Sequence, residues 1–194
     1  MNSDILKDIE ENLTNEFQNN KVSEIIKDNP EILKDYPELE IEYNSDGTKK
    51  SFYSLASERD IKETQIKSDE NELDFRFNQN LITKEEYKKQ KSELEDKLIN
   101  QNLVYDDLIF DIISNEELDV IKEEIKNSNL NDIDLKRLAS SLSSIAETKI
   151  DDFQKNNKEF RNDKISYWNY KYDKIAKGYA RTRELEGFIL DLIE

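Results

Sequence analysis

Leucine, isoleucine and aromatic residues recur at three- and four-residue spacings along most of this chain, and almost nothing interrupts them: 194 residues contain 3 glycines and 2 prolines. Apolar residues at that period line one face of an α-helix, and a chain so poor in helix breakers has few places to turn. The pattern predicts an all-α fold, a helical bundle with a long C-terminal helix and one small β-hairpin near residues 39–53. The same pattern decides how composition is read. With 35% hydrophobic and 38% charged residues, scattered apolar side chains would leave a chain unable to offset its conformational entropy, whereas periodic ones can be buried together.

Along the chain, Ile5, Leu6, Ile9, Leu13 and Phe17 predict an amphipathic helix over Ser3 to Asn20. Asn29 and Pro30 read as the cap and first residue of a short helix that Pro37 stops. Leu39 to Tyr43 alternates apolar and polar, Asn44-Ser45-Asp46-Gly47 is turn chemistry and Thr48 to Tyr53 holds β-formers, so a hairpin with Gly47 at positive φ is expected. Leu55 to Phe77 is helical but thin in apolar residues (Ile61, Ile66, Leu73, Phe75, Phe77), the mark of a helix exposed on most of its surface. The boundary this suggests separates N-terminal helices and hairpin, 1–53, from a helical bundle, 54–194, unless the whole chain is one domain.

Beyond it, Leu103, Val104, Leu108, Ile109, Phe110, Ile112 and Ile113 form the most hydrophobic stretch and are expected at the centre of the core. Ser114 and Glu117 read as a capping box opening a helix with Leu118, Ile121 and Ile125 on one face. After a polar connection at Asn127 to Asn131, Leu135, Leu138, Leu142, Ile145 and Phe153 make a stripe with Ser140, Ser141, Ser143 and Ser144 between them, read as a solvated face. The last helix, from about Asp163 to Ile193, carries Ile165, Trp168, Tyr172, Ile175 and Tyr179 on a heptad-like seam continued by Leu185, Phe188, Ile189 and Leu192. Gly178 and Gly187 inside it mark a bend or a close helix crossing, since each costs about 1 kcal/mol relative to alanine.

Between these segments, Phe77 to Thr83 reads as a break and a new start, with Thr83 as cap and Glu86 completing a capping box, so the chain forms a helical hairpin here. Leu73, then Asn80-Leu81-Ile82-Thr83-Lys84-Glu85-Glu86-Tyr87, then Leu94, resembles the short C-terminal helical-hairpin motif known as SHOCT, over about residues 73–98. That motif carries glycine where Asn80 stands. The resemblance implies a helical turn and oligomerisation; it implies no activity.

Chemistry is constrained mainly by what the side chains cannot supply. The chain has no cysteine and no histidine, which removes thiolate and Ser-His nucleophiles, the commonest general base and the usual zinc ligands. Its three glycines make no phosphate-cradling loop. Asn127-Ser128-Asn129-Leu130-Asn131 spaces oxygen ligands as a calcium loop does, but Asp132 replaces the turn glycine and Leu138 the bidentate glutamate. The expectation is a protein that is not an enzyme and uses no cofactor and no metal. No apolar run is long enough to cross a bilayer, and the N-terminus MNSDILKDIEENL carries acids where a signal peptide carries bases, so a soluble protein of the cytoplasm or of a virion is expected.

Charge is segregated. From Lys155 to Arg183 the net charge is +6 in a chain of −16, leaving −22 elsewhere. Aromatic residues interleave with these bases, and Tyr167, Tyr170, Lys171, Lys174, Arg181 and Arg183 are the candidate interaction surface. Trp168, Tyr172 and Tyr179, on the seam, read as core, and the bases also have the acidic remainder of the same fold to pair with. Three functions fit. The first is a structural or assembly protein, such as a phage ring, connector or scaffold component, working through helix-mediated contacts with copies of itself or a neighbouring component. The second is an acidic inhibitor or regulator, such as an anti-defence protein, that binds one host protein and imitates nucleic acid with runs such as Asp106-Asp107, Glu116-Glu117 and Glu123-Glu124. The third is nucleic-acid binding through residues 155–183, which the acidic remainder opposes by repulsion.

Overall fold

A computed structural model of the chain describes residues 18–159 and 165–193; the side chains of residues 156–172 lie outside that description, as does the stripe Ile5, Leu6, Ile9, Leu13 and Phe17. Among the described residues, eight helical segments follow one another: α1 (18–28), α2 (Ile32–Asp35), α3 (Pro37–Glu42), α4 (Phe52–Asn78), α5 (Lys84–Asn115), α6 (Leu118–Asn127), α7 (Asp132–Glu159) and α8 (Ile165–Asp191). Among the described residues there is no strand. α4 and α5 form one long hairpin, α7 and α8 pair along their length, and α5 packs on α8, with α6 wedged against α4 and α8.

The β-hairpin expected near residues 39–53 is not formed. Leu39 to Glu42 belongs to α3, Phe52 and Tyr53 open α4, and between them Tyr43 and Lys49 make one isolated antiparallel bridge. Pro37 explains the first part: at the first turn of α3 its fixed φ suits a helix, and Glu38 and Glu40 favour the positive end of the helix dipole. Ser51 explains the second, because its hydroxyl caps α4 by accepting from the Ser54 N–H at 3.3 Å. The turn chemistry between them is as read. Gly47 has φ +82, its N–H donates to the Asn44 carbonyl at 3.0 Å, and a Cβ there would strike the Ser23 carbonyl.

Two cap assignments are also corrected. Asn29 does not cap α2, which starts at Ile32 after Glu31; instead its N–H donates to the Ile25 carbonyl and closes α1. Ser114 does not open α6. It lies inside α5, its hydroxyl donating back to the Phe110 carbonyl at 2.7 Å, and the chain breaks only at Glu116.

The main core joins five helices: Phe52 and Leu55 of α4, Tyr105, Ile109, Phe110 and Ile113 of α5, Ile121 and Ile125 of α6, Leu135, Leu138, Leu142 and Ile145 of α7, and Leu185 and Ile189 of α8. Each fully buried aliphatic side chain of this kind contributes about 1.5–3 kcal/mol. α5 is central as expected, although Leu103 and Val104 are exposed. Gly178 marks a close crossing: a Cβ there would lie 2.5 Å from Ser114 Oγ and 2.8 Å from Phe110 Cε1, so α8 lies backbone-close on α5. Gly187 has nothing within 4 Å of that position and marks no crossing. A second small cluster, Ile26, Leu33 and Tyr43, holds α1–α3 together, and Ile41 of α3 packs on the main core.

Candidate protein-binding arm

Beyond Arg59 in α4 and before Tyr105 in α5, no residue belongs to either buried cluster. This part of the hairpin is an arm of two helices. Its inside holds the buried Ile66 and Leu73, and near the tip the Phe77 ring stacks on Tyr87, centroids 4.4 Å apart. The Tyr87 hydroxyl donates to Asp74 at 2.7 Å and accepts from Lys91 at 3.1 Å. The rest of the seam is mixed: Leu94 and Leu98 of α5 are half-buried on it together with Glu63, Glu70 and Lys91, which stand at spacings where a coiled coil places apolar residues. Large apolar side chains instead point outward: Ile61, Phe75, Leu81 and Ile99 are 64%, 60%, 67% and 58% exposed.

The tip is built from local hydrogen bonds. α4 ends with Asn80 at φ 55, and the N–H groups of Leu81 and Asn80 donate to the carbonyls of Arg76 and Phe77, the paired bonds of a Schellman ending. Asparagine tolerates this left-handed position better than other non-glycine residues. Thr83 then caps α5, its hydroxyl accepting from the Glu86 N–H while the Glu86 carboxylate accepts from the Thr83 N–H at 2.8 Å. Those bonds hold the Glu86 carboxyl below its ordinary value.

The base of the arm is a buried charged network. Arg59 Nε donates to Asp106 at 2.7 Å with both side chains buried, and another Arg59 nitrogen donates to Glu63 at 3.0 Å. Burial pushes the Asp106 carboxyl up, and Arg59 only partly offsets it. Burial also raises Glu63, but the hydrogen bonds and charges of Lys67 and Arg59 outweigh it and hold Glu63 below its usual value. Tyr105 is fully buried, its hydroxyl 3.3 Å from Glu58, and burial followed by the Glu58 charge raises it far above the usual tyrosine range. Glu58 in turn pairs with Lys50 at 2.8 Å, whose ammonium donates to the Glu40 carbonyl, so one chain of contacts ties α3, α4 and α5.

Of the six candidate surface residues, Tyr167, Tyr170 and Lys171 have side chains outside the described residues. Lys174 is exposed beside an open cleft that Asp107, Asp111, Lys149 and Phe110 also line. Arg181 and Arg183 are turned onto the fold. Arg181 Nε donates to the Ile113 carbonyl at 2.6 Å and its other end to the Glu116 carbonyl, neutralising the C-terminus of α5. Arg183 donates to Ser143 at 2.9 Å and to Glu186 at 2.7 Å, and also meets Glu147.

The acidic runs are partly internal too. Asp107 pairs with Lys149, and Glu124 accepts from the Tyr53 N–H at 3.1 Å, at the N-terminus of α4. Asn131, last of the calcium-like asparagines, caps α7 by accepting from the Asp134 N–H at 2.9 Å. Among the described residues, no group of three or more carboxylates is placed to hold a metal, and no helix is long and apolar enough to cross a membrane. No family model, curated protein or solved structure matches the chain.

Arg59 and Tyr105 were not among the residues singled out from the sequence, and Asp106 was read only as part of an acidic run. The available signal was register: Arg59 stands seven residues before Ile66, on the face that Ile66 and Leu73 continue, and Tyr105 stands four before Ile109.

Proposed function

We propose that this protein is a non-enzymatic assembly component that works through helix-mediated contacts with other proteins, as a ring, connector or scaffold piece of a virion does. One observation carries the reading: the α4–α5 arm stands outside the core and displays Ile61, Phe75, Leu81 and Ile99 while its own seam is half polar. Outward apolar side chains on such an arm suit a helical partner that completes a bundle. The SHOCT resemblance falls on this same arm and agrees with oligomerisation. The internal engagement of Arg181 and Arg183 supports protein contacts over a nucleic-acid groove, since neither guanidinium is free for a phosphate.

Mass by light scattering over a concentration series, together with cross-linking of the protein in the cells it comes from, tests the reading. A discrete oligomer or a stoichiometric complex is the expected outcome. A monomer in solution that is also recovered without partners from cells refutes it.

A further inference from the structure

Residues 18–50 close on themselves. Ile26 of α1, Leu33 of α2 and Tyr43 after α3 make a buried cluster of their own, with Val22, Ile32 and Leu39 packed around it. The turn that follows folds back onto the same helices: the Asn44 N–H donates to the Thr48 carbonyl at 2.8 Å, the Lys50 N–H to the Glu42 carbonyl at 2.9 Å, and the Ser23 hydroxyl of α1 to the Gly47 carbonyl. α4 then starts without help from this unit. Ser51, extended at φ −72 and ψ 165, caps it from its own side chain, and the Tyr53 N–H is satisfied by Glu124.

The fastenings to the rest of the fold are few. Among the described residues, the half-buried Ile41 is the one apolar side chain of this unit that packs on the main core, and one ion pair crosses to a later helix. That pair is Lys50 with Glu58 of α4 at 2.8 Å; the same ammonium donates to the Glu40 carbonyl of α3 at 2.6 Å, so a single cation clasps α3 to the base of the arm. A cluster of three buried side chains is too small to keep so short a segment folded once it leaves the body. We propose that residues 18–50 detach and unfold together, as one cooperative unit, while α4 to α8 stay folded. Detachment lifts Ile41 off the core and takes Lys50 away from Glu58. Because Glu58 also accepts from the buried Tyr105 hydroxyl at 3.3 Å, the base of the arm has two states: one in which Lys50 and Tyr105 share the carboxylate, and one in which Tyr105 holds it alone.

Native-state hydrogen exchange of the full-length protein, read residue by residue by NMR over a series of low urea concentrations, tests this. The N–H groups of Asn29, Tyr43 and Asn44 are hydrogen-bonded at three separate places in the unit. They should share one protection factor that falls with urea and lies at least about tenfold below that of Ile109 in α5. Lys50→Met should lower the shared value about tenfold, since it removes a charged hydrogen-bond donor. Ile189→Val, in the core of α8, should lower the protection of Ile109 several-fold and leave the other three unchanged, because its contacts persist after the unit has opened. Three unrelated values insensitive to urea would mean local fraying. A shared value equal to that of Ile109, or lowered equally by Ile189→Val, would mean one indivisible fold, and a value indifferent to Lys50→Met would remove the clasp; each of these results overturns the proposal.

Discussion

The same substitution at two points of α8 should have opposite effects. Alanine for glycine inside a helix ordinarily stabilises by up to about 1 kcal/mol, because glycine gives up more conformational freedom on folding. Gly187 is exposed, with nothing within 4 Å of where a Cβ would stand, so Gly187→Ala should raise stability by about 0.5–1 kcal/mol. At Gly178 the same methyl lands 2.5 Å from Ser114 Oγ and 2.8 Å from Phe110 Cε1. Neither neighbour moves freely: the serine hydroxyl is held by the Phe110 carbonyl and the ring belongs to the main core. Overpacking of this kind costs about 1–3 kcal/mol, so Gly178→Ala should lose about 1–2 kcal/mol net of the helix gain. Urea unfolding followed by far-ultraviolet circular dichroism reads both. Phe110→Leu, itself destabilising, should reduce the penalty of Gly178→Ala when the two are combined. A Gly178→Ala protein as stable as Gly187→Ala would show that α5 and α8 do not cross as closely as described.

Breaking the buried pair at the base of the arm by Arg59→Ala or Asp106→Ala should cost about 3–5 kcal/mol, and the joint change Arg59→Met/Asp106→Leu less than either; equal losses in urea melts would contradict this. At the tip, Asn80→Gly should be neutral or stabilising and Asn80→Ala should cost about 1 kcal/mol, because φ 55 suits glycine and not alanine. Glu86 is held below its ordinary 4.5 by the Thr83 N–H and then by the Thr83 hydroxyl. Its contribution is therefore present above about pH 4.5 and lost as pH falls through the lowered value. Amide exchange at the start of α5 should show that loss in the wild type, and its persistence in Glu86→Gln would refute the capping-box origin.

The helices were legible because their signal is periodic and local. Leu135, Leu138, Leu142 and Ile145 needed no knowledge of partners to be placed on one face, nor did Thr83 and Glu86 to be read as a capping box. Residues 39–53 misled because alternation over five residues also occurs in one and a half turns of helix, and the proline and acids that decide between them act on the start of the element. The buried network was hidden for another reason. Asp106 sits in a run of acids that the sequence offers only as a charged surface, and the fold alone brings Arg59 to it from 47 residues away. Arg181 was likewise marked by its charge, while its actual role depends on where α5 ends.

The grips on the two hairpin helices also order the events of folding. The arm joins residues that are neighbours in sequence, and its tip is closed by bonds spanning five residues or fewer, so it can form as soon as α5 has been synthesised. The N-terminus of α4 waits for Glu124, 71 residues after Tyr53, and the C-terminus of α5 waits for Arg181, 68 residues after Ile113. A nascent chain thus displays the outward-facing apolar side chains of its arm before it possesses a finished body.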